Sequence, residues 1–78
     1  MVTTKIDNVS QLKIGQKAKL GTISDAYAGR DRLAEMGFLP GTGIEVMRKA
    51  PFGDPIQVRI RGSQFAIRMA DAKHLKLL

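Results

Sequence analysis

The sequence holds few side chains that could carry out catalysis. It has one histidine, His74, and no cysteine. A hydrolytic triad would need His74 beside a nucleophile and a carboxylate, but it lies in the segment DAKHLKL near the C-terminus, where a surface position at a helix end is the better interpretation. The glycines do not form the GxxxxGK[ST] or GxGxxG patterns that hold phosphates. The sequence therefore predicts a protein that is not an enzyme and has no catalytic residues.

Metal ligands are equally scarce. A thiolate site is impossible without cysteine, and a single histidine leaves a transition-metal site dependent on scattered carboxylates. Asp31 and Glu35 are four residues apart, but Arg30 and Arg32 are interleaved with them, which indicates a solvated helix face. We predict neither a metal site nor a cofactor.

The charge of the chain favours a binding role. Its 13 basic and 7 acidic residues give a net charge of +6, which attracts nucleic acid, anionic lipid or an acidic protein surface. Arg59, Arg61 and Arg68 are predicted to lie opposite the apolar side of their strands, where neighbouring strands would unite them into a basic patch. Phe52 is a loop aromatic of the kind that anchors interfaces. We predict that the partner-binding residues are Phe52, Arg59, Arg61 and Arg68.

Alternating apolar and polar residues predict five short strands. The clearest is IQVRI at residues 56–60. KAKLGTIS, with a bulge near Gly21, and GIEVM come before it, while QFAIRM, taken to Met69, and a closing strand through Leu75 and Leu77 come after it. Asp71 is expected to cap a short helical turn between the last two strands. Turn signals recur roughly every ten residues, which is typical of a small barrel whose closure removes unpaired edges.

One helix is predicted from Gly29 to Met36. Gly37 ends it in the left-handed conformation, which makes the two apolar residues of LAEMGF that flank this end the contact pair of a Schellman motif. The Pro-Gly pair that follows fits the centre of a type II turn, and APFGDP has the composition of a hairpin loop. The residues predicted to form the cap and the turn are Leu33, Gly37, Phe38, Pro40 and Gly41.

Most of the chain resembles the FeoA family. The most specific segments are RLAEMGFLPGT, the loop APFGDP and the strand pair IQVRIRGSQFAIR, which occur in the family's order and together span well over half of the sequence. The upstream VSQLKIGQKAKLGTIS also resembles the opening of that family. The sequence departs from the family pattern at Gly43, which precedes the β-branched Ile44 after Pro-Gly-Thr, but the strand register is preserved.

The resemblance implies an SH3-like barrel, in agreement with the strand pattern, and the length of the chain predicts a single domain over residues 1–78. It also implies a bacterial accessory or regulatory protein that binds the ferrous-iron transporter FeoB. A small basic nucleic-acid-binding β-barrel is the alternative, but such proteins usually stack bases on exposed aromatic rings. Only Tyr27 and Phe52 are candidates for such rings, and neither falls on the basic strands, so no nucleic acid is expected.

Several features of the sequence predict a cytoplasmic location. No apolar run approaches the roughly 20 residues of a membrane helix, and the segment MVTTKIDNVS lacks the apolar core of a signal peptide. The absence of cysteine also favours the cytoplasm, because many small secreted domains depend on disulfides. We expect the protein to reach a membrane only through its partner.

Overall fold

The structure is a computed structural model that describes residues 6–78. Residues 1–5, which belong to the expected domain and to the segment MVTTKIDNVS, lie outside the described residues. A 3₁₀ turn at Val9–Gln11 precedes the first strand. The remaining elements, in chain order, are β1 (Lys17–Ile23), α1 (Arg30–Met36), β2 (Gly43–Lys49), β3 (Ile56–Ile60), β4 (Ser63–Ile67), α2 (Met69–His74) and β5 (Leu75–Leu77).

The strands form one antiparallel sheet in the order β4-β3-β2-β1-β5. The long strand β1 pairs with β2 through its first half and with β5 through its second half, and its register shifts between Leu20 and Ile23. The bulge predicted near Gly21 lies in this interval. The predicted all-β fold of five short strands is confirmed.

The sheet is not closed. Within residues 6–78, β4 and β5 are the two ends of a linear strand order and do not pair with each other. The expectation that closure removes every unpaired edge is therefore wrong. α2 connects β4 to β5 along the chain.

Residues 6–78 contain two α-helices, so the prediction of a single helix is wrong. Met69, which was assigned to a strand because it continues the alternation of Phe65 and Ile67, begins α2 instead. Arg68 is the N-cap, and Asp71 lies inside the helix as its third residue. The alternation misleads because the apolar residues Met69 and Ala72 are also spaced three apart, which suits a helix facing the core.

The core is formed by the inward side of the sheet together with apolar residues of α1, of α2 and of the 3₁₀ turn. β3 contributes most regularly, because Ile56, Val58 and Ile60 all point inward from alternate positions. Leu33 of α1 and Phe38 just after it complete the apolar interior, and Phe38 packs edge-on against Phe65 with ring centroids 5.7 Å apart. Among residues 6–78, the buried apolar side chains are Val9, Leu12, Leu20, Leu33, Phe38, Ile44, Val46, Ile56, Val58, Ile60, Ile67, Ala72 and Leu75.

Gly37 ends α1 with a φ of 108°. The N–H of Gly37 donates to the carbonyl oxygen of Ala34 at 3.0 Å, and the N–H of Phe38 donates to that of Leu33 at 3.1 Å. These two bonds are those of a Schellman motif. The Pro40-Gly41 turn follows directly and is closed by a 3.1 Å bond from the N–H of Thr42 to the carbonyl oxygen of Leu39. Together the cap and the turn connect the end of α1 to the start of β2.

Candidate functional site

Arg59 stands on the outer face of the sheet. The inward positions of β3 on either side of it are Val58 and Ile60, so its side chain points to solvent. Its cross-strand neighbours are Glu45 on β2 and Gln64 on β4. The Arg59 Nη1 atom lies 3.9 Å from Glu45 Oε1, and the arginine side chain is 44% exposed. Such an exposed, long ion pair holds the guanidinium weakly, so Arg59 is available to a partner.

Arg61 lies in the two-residue turn between β3 and β4. Arg61 and Gly62 have φ values of 49° and 79°, which are those of a type I′ hairpin turn. The turn holds the exposed Arg61 beside a shallow depression of ≈ 210 Å³. Its basic wall consists of Lys17, Arg59 and Arg61, and Glu45 is its acidic residue. Positive charge therefore dominates this end of the hairpin.

Arg68 lies at the other end of β4, where the chain enters α2. It is exposed, and its backbone N–H donates to Asp71 Oδ2 at 3.3 Å. Nearby, the Met69 N–H donates to Asp54 Oδ1 at 3.0 Å, which ties the start of α2 to the loop between β2 and β3. Arg68 is thus fixed by its backbone while its side chain remains exposed.

Phe52 occupies the tip of that loop and is 99% exposed. The loop is closed by the Ala50 N–H, which donates to the carbonyl oxygen of Pro55 at 3.0 Å, and by the Gly53 N–H, which donates to that of Ala50 at 2.7 Å. The peptide bond before Pro55 is cis. The ring of Phe52 projects into solvent and does not cover the core.

The four predicted partner-binding residues fall into two pairs. Ile56 pairs with Ile67 at one end of the β3–β4 hairpin and Ile60 pairs with Ser63 at the other. Arg68 and the loop of Phe52 are therefore at the first end, while Arg59 and Arg61 are towards the second. At about 3.3 Å per residue, the two ends of the hairpin are roughly 15–20 Å apart. The four residues line the length of the hairpin and do not converge on one point.

A cluster around Asp71 was not foreseen from the sequence. Asp71 is only 2% exposed, and its Oδ1 atom accepts hydrogen bonds from Arg32 Nη2 at 2.9 Å and from the Tyr27 hydroxyl. The Tyr27 ring stacks on that of His74 with centroids 4.1 Å apart and 13° between the planes. Tyr27, previously considered a candidate exposed ring, is therefore already stacked within the protein.

The Asp71 cluster shifts two pKa values in opposite directions. Burial alone would raise the pKa of Asp71, but the hydrogen bonds from Tyr27, Arg32 and the Arg68 backbone outweigh it and lower that pKa. The hydrogen bond to Asp71 is the main reason that the pKa of Tyr27 is raised, with burial and the negative charge of Asp71 adding to it. The carboxylate thus stays ionised, and it joins α2 to α1 and to the loop before α1.

A second depression, of ≈ 410 Å³, lies beside α1. Phe38 and Leu39 form part of its apolar floor, and Arg30 and Asp25 form an ion pair at its rim with Nε and Oδ1 3.1 Å apart. The segment RLAEMGFLPGT therefore forms the cap and contributes one side of this depression, while β1 and the loop after it contribute the other.

No group of three or more histidine, cysteine, aspartate or glutamate side chains suited to a metal ion occurs among residues 6–78. Over the same residues, none of the helices has the length and apolar character needed to cross a membrane.

Comparison with known proteins identifies relatives over almost the whole chain. The FeoA domain family model matches residues 8–77. A protein of Porphyromonas gingivalis described as an Fe(2+) transport protein A/Fe(2+) transporter FeoB fusion protein is 32% identical over 69 residues. That match covers 88% of this chain but only 8% of the fusion protein.

Solved structures agree in fold. The NMR structure of a FeoA-like protein from Clostridium acetobutylicum superposes with a TM-score of 0.87 at 33% identity, covering 97% of this chain and 88% of that one. The crystal structure of Stenotrophomonas maltophilia FeoA complexed with zinc, described as a prokaryotic SH3 domain protein, gives a TM-score of 0.78 at 28% identity, covering 91% and 88% of the two chains. The SH3-like architecture is therefore confirmed, with the sheet open as described above. The chain belongs to the FeoA family, which is associated with ferrous-iron transport.

Proposed function

We propose that the protein is a non-catalytic cytoplasmic accessory and regulatory protein of ferrous-iron uptake that binds a FeoB-type membrane transporter. The observation that supports this most directly is the Porphyromonas gingivalis relative, in which a FeoA-like segment and a FeoB transporter belong to one chain. Fusion keeps two domains at a high effective concentration. A binding surface on the FeoA-like domain would favour the same association.

The chemistry of the described residues suits binding better than catalysis. The imidazole of His74 is stacked on Tyr27, and both oxygens of the buried Asp71 accept hydrogen bonds. The Asp71 carboxylate is therefore engaged within the protein and is not free to serve as a base towards a substrate.

The β3–β4 hairpin provides the binding surface in this proposal. Phe52 offers a fully exposed ring, and Arg59, Arg61 and Arg68 offer guanidinium groups along the same hairpin. Aromatic and arginine side chains are the residue types that most often dominate interface energies. Because these groups extend along the hairpin, the partner surface should be elongated and acidic.

Capture by the transporter tests the partnership itself. A tagged FeoB-type transporter from the same organism, solubilised in detergent, should retain the wild-type chain in salt-dependent fashion, because the contact depends on charge. An unrelated basic protein of similar size should pass through. Equal retention of the two proteins would reject the proposed partner.

Charge reversal tests the surface. Phe52→Ala combined with Arg59→Glu, Arg61→Glu and Arg68→Glu should lower retention strongly. The matched control reverses three exposed lysines away from the hairpin, Lys13, Lys73 and Lys76, and so makes the same change in net charge. Circular dichroism would show that both variants are folded. If both lose retention equally, net charge decides binding and the hairpin surface is not specific.

A further inference from the structure

The two outer edges of the sheet differ in how they are covered. At the β5 edge, the Leu77 N–H donates to the carbonyl oxygen of Asp7 at 2.9 Å, and Asn8 forms an antiparallel bridge with Lys76. At the β4 edge, no backbone partner occurs among residues 6–78 apart from β3 itself. Within the described part of the chain, one edge is thus shielded, while the other presents unpaired backbone groups.

The type I′ turn determines which groups those are. In a two-residue hairpin the residues that flank the turn, Ile60 and Ser63, form a hydrogen-bonded pair. Hydrogen-bonded and non-hydrogen-bonded pairs then alternate along an antiparallel ladder. Gln64 and Ala66 fall at the non-hydrogen-bonded positions, so their N–H and C=O groups point away from β3 and along the free edge.

β4 lacks the features that usually prevent a free edge from pairing. Natural sheets protect edges with charged side chains, proline or bulges. The strand Ser63–Ile67, SQFAI, contains no charged residue and no proline, and its pairing with β3 is regular from Ile56↔Ile67 to Ile60↔Ser63. Gln64 and Ala66 are also exposed. This edge is therefore competent to accept another strand.

The charges at the two ends of β4 determine whether an acidic or a basic strand can pair with its free edge. Arg61 precedes β4 and Arg68 follows it. The acidic side chain near the start of α2 is Asp54, whose Oδ1 accepts a hydrogen bond from the Met69 N–H. In a two-fold antiparallel pairing of two copies centred on Phe65, the Arg61 of each copy would lie opposite Met69 of the other, one residue away from its Arg68. Like charges placed this close oppose pairing, so a second copy of this chain is disfavoured.

We infer that the free edge of β4 binds an extended acidic segment of a partner protein by β-augmentation. The inference rests on the proposed function and specifies how the transporter is recognised. The added strand hydrogen-bonds to Gln64 and Ala66, which gives affinity from the backbone. Carboxylates near its two ends face Arg61 and Arg68, which gives direction and selectivity.

A matched pair of substitutions at Ala66 tests the backbone contact. Ala66→Pro removes the outward N–H at a position where an edge strand tolerates proline, whereas Ala66→Thr keeps the N–H and suits a strand. Ala66→Pro should weaken capture by the solubilised transporter about tenfold, the effect of losing one hydrogen bond near the upper end of its usual net strength. Ala66→Thr should bind like the wild type. Thermal unfolding would show that both variants are folded.

Hydrogen exchange gives a second readout that does not depend on any substitution. The Gln64 and Ala66 amides of the wild-type chain should exchange quickly in the free protein and slowly in the complex, because they gain partners only on binding. Arg61→Glu with Arg68→Glu should weaken capture more than Lys13→Glu with Lys76→Glu.

The outcomes separate the two proposals. Failure of the wild-type chain to bind the transporter would reject both. Wild-type binding that Ala66→Pro leaves unchanged, without protection of the Gln64 and Ala66 amides, would overturn the edge inference and leave the proposed function standing. A wild-type dimer in sedimentation that Ala66→Pro abolishes would identify a second copy as the occupant and would also overturn it.

Discussion

Arg32 and Asp71, 39 residues apart in the sequence, are joined by a 2.9 Å contact between Nη2 and Oδ1. The carboxylate is buried and the guanidinium is about half exposed. This contact connects α1 to α2, and α2 is the element that links the two ends of the open sheet.

Asp71→Asn should lower the free energy of unfolding by about 1–3 kcal/mol, because the buried site loses a charged acceptor and leaves the Arg68 N–H without a carboxylate oxygen. Urea unfolding would measure the change. Asp25→Asn is the control, since Asp25 pairs with Arg30 at an exposed site and should cost no more than about 1 kcal/mol. Equal decreases in unfolding free energy for the two variants would contradict the prediction that the buried carboxylate contributes more than the exposed one.

The free energy of unfolding should decrease at acidic pH, because the Asp71 carboxylate becomes protonated. Its pKa is lower in the folded protein than in the unfolded chain, so its contribution is complete above the ordinary carboxyl pKa and is lost as the pH falls through the folded value. The difference in unfolding free energy between the wild type and Asp71→Asn should therefore shrink as the pH is lowered below about 4. A difference that stays constant to low pH would mean that the carboxylate does not titrate as described.

The free energy of unfolding should also decrease at alkaline pH, because the Tyr27 hydroxyl ionises. The pKa of its hydroxyl is raised in the fold, so its contribution is complete below the ordinary tyrosine pKa and disappears as the pH rises through the higher folded value. Tyr27→Phe should flatten the stability profile above about pH 10. The phenolate absorbance of the wild type should appear at higher pH when the protein is folded than in urea, and coincident titrations would contradict this.

Gly37→Val should destabilise the protein by about 1 kcal/mol or more, because a β-branched residue tolerates a positive φ poorly. A Cβ at Gly37 would make an ordinary van der Waals contact with Ile60 Cδ1 at 3.5 Å, so the strain of adding a Cβ comes from the positive φ. Gly43→Val is the control, since Gly43 lies in β2 with open space around its Cβ position. If denaturation midpoints shift equally, the conformation of Gly37 is not the cause.

The isolated protein should bind neither Fe(II) nor GTP tightly. The grounds are a single histidine, no cysteine, and the absence of a three-ligand cluster among residues 6–78 and of a P-loop pattern in the sequence. Anaerobic calorimetry with Fe(II), and separately with Mg-GTP, should show no saturable heat at micromolar protein concentration. A stoichiometric micromolar Fe(II) isotherm would contradict the prediction.

Features set by neighbouring residues could be predicted from the sequence, whereas those set by distant contacts could not. The alternation of β3 and the turn after Gly37 depend on residue types only a few positions apart. The Asp71 cluster joins Tyr27 and Asp71 across 44 residues, and no local pattern marks that pairing. Met69 was misassigned because its apolar side chain satisfies a strand period and a helix period equally well.

The surface residues show the same difference between features set by nearby residues and features set by distant contacts. The exposure of Phe52 follows from its position in a Pro- and Gly-rich loop, which the sequence shows. The separation of Arg61 from Arg68 depends on the regular pairing of β3 with β4 and on where that hairpin begins and ends. Which edge the segment at Asp7 and Asn8 covers is likewise set by contacts distant in the sequence, and it pairs with β5.

The stacking of Tyr27 on His74 also has a spectroscopic consequence. The sequence has one tyrosine and no tryptophan, so the intrinsic ultraviolet emission of the protein comes mainly from a single ring. That ring lies at the junction of α1 and α2, against an imidazole and hydrogen-bonded to a carboxylate. The emission of the native protein is therefore a local optical probe of whether the two helices are docked.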